Sequence, residues 1–363
     1  VRKAYRFKLN PNKQQRYALA RTLDVCRELY NDALYQRKLH HITRFQQDRE
    51  LTQLKAAFPV YKNVHSQVLQ NILNRLDKTF QNFFRSGFGF PRFKSENKFD
   101  SFTYPQAGFS LAGNQLSLSK IGNVKCRVSR ELPADAVIKT CTVKRSVNGW
   151  FATLSFEYTP ISLPASSLAV GIDMGVTTFA TFSDGSVIEN PRIYQSAQAE
   201  LRVAQRRVAR RRKGSHRRRK AVVLLKKLHE HIAAKRQDFL HKHSTAVIRK
   251  YGTIVVEALN VAGMSKSNLA KQILDASWSE WFRQLAYKAE SAGRQFISVN
   301  PRYTSQECSE CGFPSPENRK TQAEFLCLSC GHQDNADHNA AVNILGRSVP
   351  LDVNVSGVTL CVV

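Results

Sequence analysis

The chain has 363 residues, 42% of them apolar, which is enough for about two to four domains with real cores and excludes a disordered protein. Lys and Arg outnumber Asp and Glu by 55 to 28, a formal charge of +27. An excess that large repels itself unless a polyanion neutralises it, so nucleic acid is the expected partner.

Residues 1–10 read as a strand, Tyr5 and Phe7 alternating with basic residues up to Asn10-Pro11. From Asn12 to about Leu39, the apolar positions Leu19, Leu23, Cys26, Leu29, Tyr30, Ala33 and Leu34 keep helical spacing. A second helix is expected from His65 to Arg85, with Val68, Leu69, Ile72, Leu73, Leu76, Phe80, Phe83 and Phe84 on one face. This aromatic stripe reads as core in preference to a base-stacking platform. Residues 87–91 end the helices. Over residues 100–160, Gly113-Asn114 and Asn148-Gly149 sit between alternating runs, a hairpin cue, and suggest a small barrel completed by the N-terminal strand. Residues 160–164 read as a linker.

A buried strand then ends at Asp173, followed by a hairpin turning at Asp184-Gly185. Residues 200–249 read as one or two long helices. Within 202–220, eleven of nineteen positions are Lys or Arg, and no acid occurs from 201 to 229. A charge run is usually a solvated face, but one without acidic neighbours cannot neutralise itself, which favours phosphate contact. The residues concerned are Arg202, Arg206, Arg207, Arg210, Arg211, Arg212, Lys213, Arg217, Arg218 and Arg219. A strand over residues 253–256 ends at Glu257. Leu274, Trp278, Phe282, Leu285 and Ala289 mark an amphipathic helix, and residues 295–299 a further strand.

Cys308-x2-Cys311 and Cys327-x2-Cys330, fifteen residues apart, match a four-thiolate zinc site. Glycine follows the second cysteine of each pair, as a tight knuckle requires. The expected role is structural. Cys26, Cys126, Cys141 and Cys361 form no disulfide-like framework, which implies a reducing, cytoplasmic setting. No apolar run approaches the roughly 18 residues of a membrane helix, so no membrane partner is expected.

Asp173 and Glu257 end strands, and Asp337 opens a helical run. Singly they read as a turn residue, a strand-end acid and a helix cap. Together, in so basic a chain, they have the layout of an RNase H-like nuclease core, whose clustered carboxylates hold divalent ions for phosphodiester cleavage. The loop Gly171-Ile-Asp-Met-Gly175-Val-Thr-Thr178 also looks like the phosphate loop of actin-like ATPases. Those proteins duplicate the fold, and no second copy of the loop is visible here.

The chain resembles the TnpB (OrfB) family, encoded by bacterial insertion sequences and similar to the compact ancestors of type V CRISPR effectors. The resemblance rests on Phe90-Pro-Arg-Phe-Lys94, Gly171-Ile-Asp-Met-Gly175, Gln237-Asp-Phe-Leu-His241, Ile254-Val-Val-Glu-Ala-Leu259, Tyr303-Thr-Ser-Gln306, the four cysteines, and Asp334-Asn-Ala-Asp-His-Asn-Ala-Ala341, in family order. It implies an RNA-guided DNA endonuclease with a split RuvC-like site, in which Asp173, Glu257 and Asp337 match the catalytic acids and hold Mg2+ or Mn2+. It also implies a guide RNA from the element's own locus, a double-stranded DNA target and a monomer with RNA in a bacterial or archaeal cytoplasm near the nucleoid. The alternative is a nuclease-inactive guided repressor or a transposase accessory protein. Gln70 and Thr103 match positions near the target-adjacent motif.

The implied fold is multidomain α+β. A wedge-like β-barrel (1–10 and 99–162) is split by a helical recognition domain (11–98). A RuvC-like domain (163–300 and 331–346) carries the basic helices and an inserted zinc ribbon (301–330), before a tail (347–363).

Overall fold

The computed structural model describes residues 1–264, 270–321 and 323–348; Cys361 and all but the first two residues of the expected tail lie outside these. The chain divides at Thr159/Pro160 into two compact units, at the start of the expected linker.

In the first unit, β1 (Arg2–Asn10) turns Phe7 and Leu9 inward, then hands over to three helices, α1 (Lys13–His40), α2 (Arg44–Ala57) and α3 (Ser66–Ser86). α1 starts where Asn12 accepts from the Gln15 N–H and the Gln15 side chain returns to the Asn12 N–H, a reciprocal cap; Thr43 and Gln46 repeat the device for α2. Six strands follow: β2 (Ser101–Tyr104), β3 (Phe109–Ala112), β4 (Gln115–Leu118), β5 (Gly122–Arg127), β6 (Val137–Ser146) and β7 (Gly149–Glu157). With β1 they form one antiparallel sheet in the order β2-β6-β7-β1-β5-β4-β3. Its end strands β2 and β3 share no ladder among the described residues. Instead of a closed hydrogen-bonded barrel, the sheet curls so that Tyr104 and Phe109 meet at 6.2 Å across the intervening turn.

Two expectations change here. The helical and β segments were expected as separate domains, yet one continuous core runs from Leu19 and Leu69 on the helices to Phe102, Val143 and Leu154 on the sheet. The aromatic stripe of α3 is not all core. Val68 to Leu76 are buried, but Phe80 and Phe83 are half-buried and Phe84 is exposed, because α3 outruns the sheet it packs on.

The second unit opens with β8 (Ala169–Met174), β9 (Thr178–Phe182) and β10 (Val187–Glu189), then α4 (Ile193–Ala209) and α5 (His216–Lys250), interrupted at Gly214. Next come β11 (Thr253–Glu257), the short α6 (Val261–Met264), α7 (Ala270–Ala276), α8 (Trp278–Ala292) and β12 (Gln295–Val299). The single amphipathic helix expected from Leu274 is therefore two: Ser277 takes a left-handed conformation (φ 57°), and Leu274 is exposed. A hairpin of β13 (Glu324–Leu326) and β14 (Gln333–Asn335) leads into α9 (Ala336–Gly346). The ribbon thus reaches Asn335, beyond its expected limit at 330, because the second cysteine knuckle needs a return strand.

The main sheet runs β10-β9-β8-β11-β12, with β8, β11 and β12 parallel and β8-β9-β10 antiparallel. Alternation sorts its two faces. Val170, Ile172, Ile254 and Val256 join a core with Leu240 of α5 and Trp281 and Leu285 of α8. Gly171 and Val255 point the other way, towards α9.

Candidate active site and metal centre

The same alternation places Asp173 and Glu257 on the α9 face. The β8–β11 register runs Val255↔Gly171 and Val256↔Ile172, so the next step along both strands is Glu257 beside Asp173. α9 lies close against this face. A Cβ at Gly171 would stand 2.1 Å from the Ala341 carbonyl oxygen and 2.6 Å from the Leu345 nitrogen. One turn before Ala341, Asp337 reaches over the end of β8, its Oδ2 lying 3.9 Å from where a Cβ at Gly175 would stand.

Asp337 is not the helix cap. Asn335 is: its side chain accepts from the Asp337 and His338 N–H groups at 3.0 and 3.2 Å. The Asp337 carboxylate is left to accept from Arg319 Nη2 at 3.0 Å. Glu257, buried, accepts from the Thr304 hydroxyl. Burial pushes the Asp173 carboxyl up to about 7, helped by the negative charges of Glu257 and Asp337 and opposed by Arg319. Burial also raises Glu257, against the Thr304 hydrogen bond and the charge of Arg347. The three acids from distant parts of the chain therefore share one electrostatic neighbourhood. Thr304, Arg319 and Arg347 were missed from the sequence. Each acts through a tertiary contact that leaves no local pattern.

The ribbon packs directly on this neighbourhood. Buried Asn339 donates to the Glu307 carbonyl (2.8 Å) and accepts from the Ser309 N–H (2.9 Å), while Asn343 donates to the Thr304 and Glu307 carbonyls. The four sulfurs of Cys308, Cys311, Cys327 and Cys330 lie within 4.8 Å of one another, with Cys308–Cys330 at 3.7 Å and Cys311–Cys327 at 3.5 Å. A tetrahedral ion with bonds of about 2.3 Å sets its ligands about 3.8 Å apart, so this cluster fits zinc. The Cys330 N–H is the leading influence drawing the Cys327 thiol down to about 6, which favours one thiolate at neutral pH. Among the described residues, this is the cluster whose ligand atoms converge that tightly; Asp337 is instead turned to Arg319.

The basic run spans the end of α4 and the start of α5. Arg206, Arg207, Arg210 and Arg211 line an open cavity of about 440 Å³ with Val203. Arg202, Arg212, Lys213, Arg217 and Arg219 are exposed, and Arg218 is half-buried. Gln70 is exposed on α3, and Thr103 shares a 2.9 Å hydrogen bond with Thr142 on the first unit's sheet. No helix among the described residues is long and apolar enough to cross a membrane.

Three family models match the chain. They are the OrfB family described as "Probable transposase" (residues 154–268), the Cas12f1-like TNB domain (278–344), and a helix-turn-helix domain (1–41). The last segment forms a strand and one helix here. Among curated proteins, the one named RNA-guided DNA endonuclease InsQ of Escherichia coli is 37% identical over 94% of this chain and 91% of its own length. A similarly named protein of Streptomyces pristinaespiralis is 35% identical over 96% and 90%. The fold matches Cas12f1 solved with its sgRNA and target DNA, at a TM-score of 0.60 and 16% identity over 91% of this chain and 82% of that one.

Proposed function

This chain belongs to the TnpB (OrfB) family, related to the type V effectors, and from that membership we propose that it is an RNA-guided DNA endonuclease of a transposable element. Its cutting site in this reading is a RuvC-like trio, Asp173, Glu257 and Asp337. The observation that carries the assignment is the convergence of the three acids: register sets Glu257 beside Asp173, Asp337 reaches over the end of β8, and the charges of both add to burial in raising the Asp173 carboxyl, in a chain of net charge +27. Acids repel DNA, and Arg319 answers one oxygen of one of them, so their grouping asks for a cation.

The donor set fits. Carboxylate oxygens are hard ligands suited to Mg2+ or Mn2+, and a bound pair of ions would polarise the scissile phosphate and lower the pKa of the attacking water. The chain's own residues set the stage. Thr304 fixes one oxygen of Glu257, leaving the other for a ligand. Arg319 holds Asp337 Oδ1 and leaves Oδ2 facing the end of β8. Its guanidinium is placed to pass from the carboxylate to a phosphate oxygen when DNA enters. The ribbon would hold zinc and keep Arg319 and α9 in place without taking part in the reaction. Arg202, Arg206, Arg207, Arg210, Arg211, Arg212, Lys213 and Arg217 to Arg219 bind phosphates. Gln70 and Thr103 lie towards the target-adjacent motif, and the protein works as a monomer with its RNA in the cytoplasm.

The test is to express the protein with its flanking DNA, sequence the RNA that co-purifies, and challenge the particle with matching DNA and Mg2+. One discrete RNA and a cut that disappears in Asp173→Ala are expected. A particle that binds matching DNA and leaves it intact would make the chain a guided repressor.

A further inference from the structure

Between residues 78 and 95 the chain holds six phenylalanines and four cations, and no acid. The structure gathers four of the rings: Phe83 lies 5.1 Å from Phe84 and 5.3 Å from Phe90, and Phe80 lies 5.6 Å from Phe90. Phe80 and Phe83 are half-buried beneath the group, while Phe84 and Phe90 stand exposed on it, as do Phe88 and Phe93 from the same stretch of chain. Phe84 is 74% exposed, Phe88 63%, Phe93 50% and Phe90 42%. Lys38, from the last turn of α1, holds its ammonium 5.2 Å from the Phe93 ring and 5.8 Å from Phe90.

Exposed phenylalanines concentrated in one short stretch, two of them in ring contact with the group and two bridged by Lys38, mark a binding surface. Its chemistry selects the occupant. A second copy would bring the same cations against these, with no acid in the stretch to answer them. A polyanion with flat apolar faces satisfies both features at once, and that describes a nucleic acid whose bases are unstacked. Duplex DNA hides those faces in its stack, whereas folded RNA presents them in loops and bulges. RNA is also the partner that stays bound between targets under the function proposed above, so it can keep four phenylalanine rings out of water continuously.

We propose that Phe84, Phe88, Phe90 and Phe93, with Lys38, form a stacking platform for unpaired bases of the resident RNA. The proposal rests on the guided-nuclease reading for the identity of that RNA, but not for the stacking itself.

The test uses the full chain with Asp173→Ala, which is expected to bind without cutting, so that cleavage plays no part in the readout. Phe84→Ala with Phe88→Ala should weaken binding of labelled oligoadenylate RNA by about tenfold or more. The slope of log affinity against log salt should stay unchanged, since no cation is removed. Trp at both positions should retain the affinity, and Leu at both should not. Base-paired RNA should be indifferent to all of these changes. In protein purified from cells carrying the flanking locus, ultraviolet light should attach the co-purified RNA to the peptide holding residues 84–93.

Wild-type affinity in the Ala pair, or full rescue by Leu, overturns the proposal. So does an Ala pair that changes the oligomeric state, which would make the patch a self-contact. Crosslinks that appear only to added target DNA give the patch to DNA and overturn the RNA assignment. If no discrete RNA co-purifies, the guided-nuclease reading fails, while the oligoadenylate comparison still decides whether the patch stacks bases.

Discussion

The second unit carries two anionic sites side by side, built on opposite plans. The cysteine site draws its ligands from two knuckles within one short stretch, Cys308 to Cys330, whose backbone turns bring the sulfurs to within 4.8 Å, with Asn339 of α9 bracing the first knuckle. The acid site draws from a strand end, a second strand end and a helix start, and it depends on sheet register and on how closely α9 lies against β8. The first is local and supplies all four of its ligands from one stretch; the second is assembled from distant segments, and a protein cation and a hydroxyl hold its charges. A full ligand set suits a site that fixes structure. A trio whose charges lean on exchangeable protein partners suits one that must take up ions and substrate in turn.

The sharpest way to break this contrast is Asp173→Ala. It should lower DNA cleavage by about a thousandfold or more, taking several kcal/mol of ion-mediated stabilisation at about 1.4 kcal/mol per decade. RNA and target affinity should hold, and the melting temperature should not fall. Cleavage at the wild-type rate would remove the acids from the mechanism. Cys327→Ser should do the reverse in stability: zinc content falls, and the transition of the second unit drops by about 10 °C or more. Cleavage should fall with it, since the ribbon carries Arg319 and leads into α9. Unchanged melting would mean that the cluster does not support the fold.

The basic run offers a smaller effect. Replacing Arg210, Arg211 and Arg212 with Ala should lower the salt slope of duplex binding by about 2 to 3, at about 0.9 per lost phosphate contact. An unchanged slope would return the run to a solvated face. The smallest effect is in pH. The folded Asp173 carboxyl sits at about 7 against an ordinary 3.8, so between those values the native state holds more protons than the unfolded one. Ion-free protein should therefore lose stability as pH rises from about 4 through 7 and level off above. Adding Mg2+ at pH 8 should recover it, and Asp173→Asn should flatten the dependence. A flat wild-type profile would mean that the folded state does not raise the Asp173 carboxyl, by burial or by its acidic neighbours.

Local devices were legible in the sequence and tertiary ones were not. Cysteine spacing, the long helices over residues 13–40 and 66–86, and the strands that carry Asp173 and Glu257 near their ends all follow from periodicity or motif. α2 escaped notice because only Leu51 and Gln47 along its fourteen residues are buried, too weak a stripe to read. Thr304 and Arg319 look like any loop residues until the ribbon folds back on the sheet. The phenylalanines near residue 84 continue the spacing of the buried stripe before them. Periodicity says which side they share and cannot say where the covering sheet stops.

Gly171 sets a tolerance on the acid site. The obstacle facing a methyl group there is the Ala341 carbonyl oxygen, a backbone atom, so no smaller residue elsewhere can make room. A side chain at 171 could be accommodated only if α9 moved outward, carrying Asp337 with it. The aperture between the acids is therefore gauged by a missing methyl group. It could be widened without touching a single charge, which would make Gly171 a mechanical means of separating target recognition from cutting.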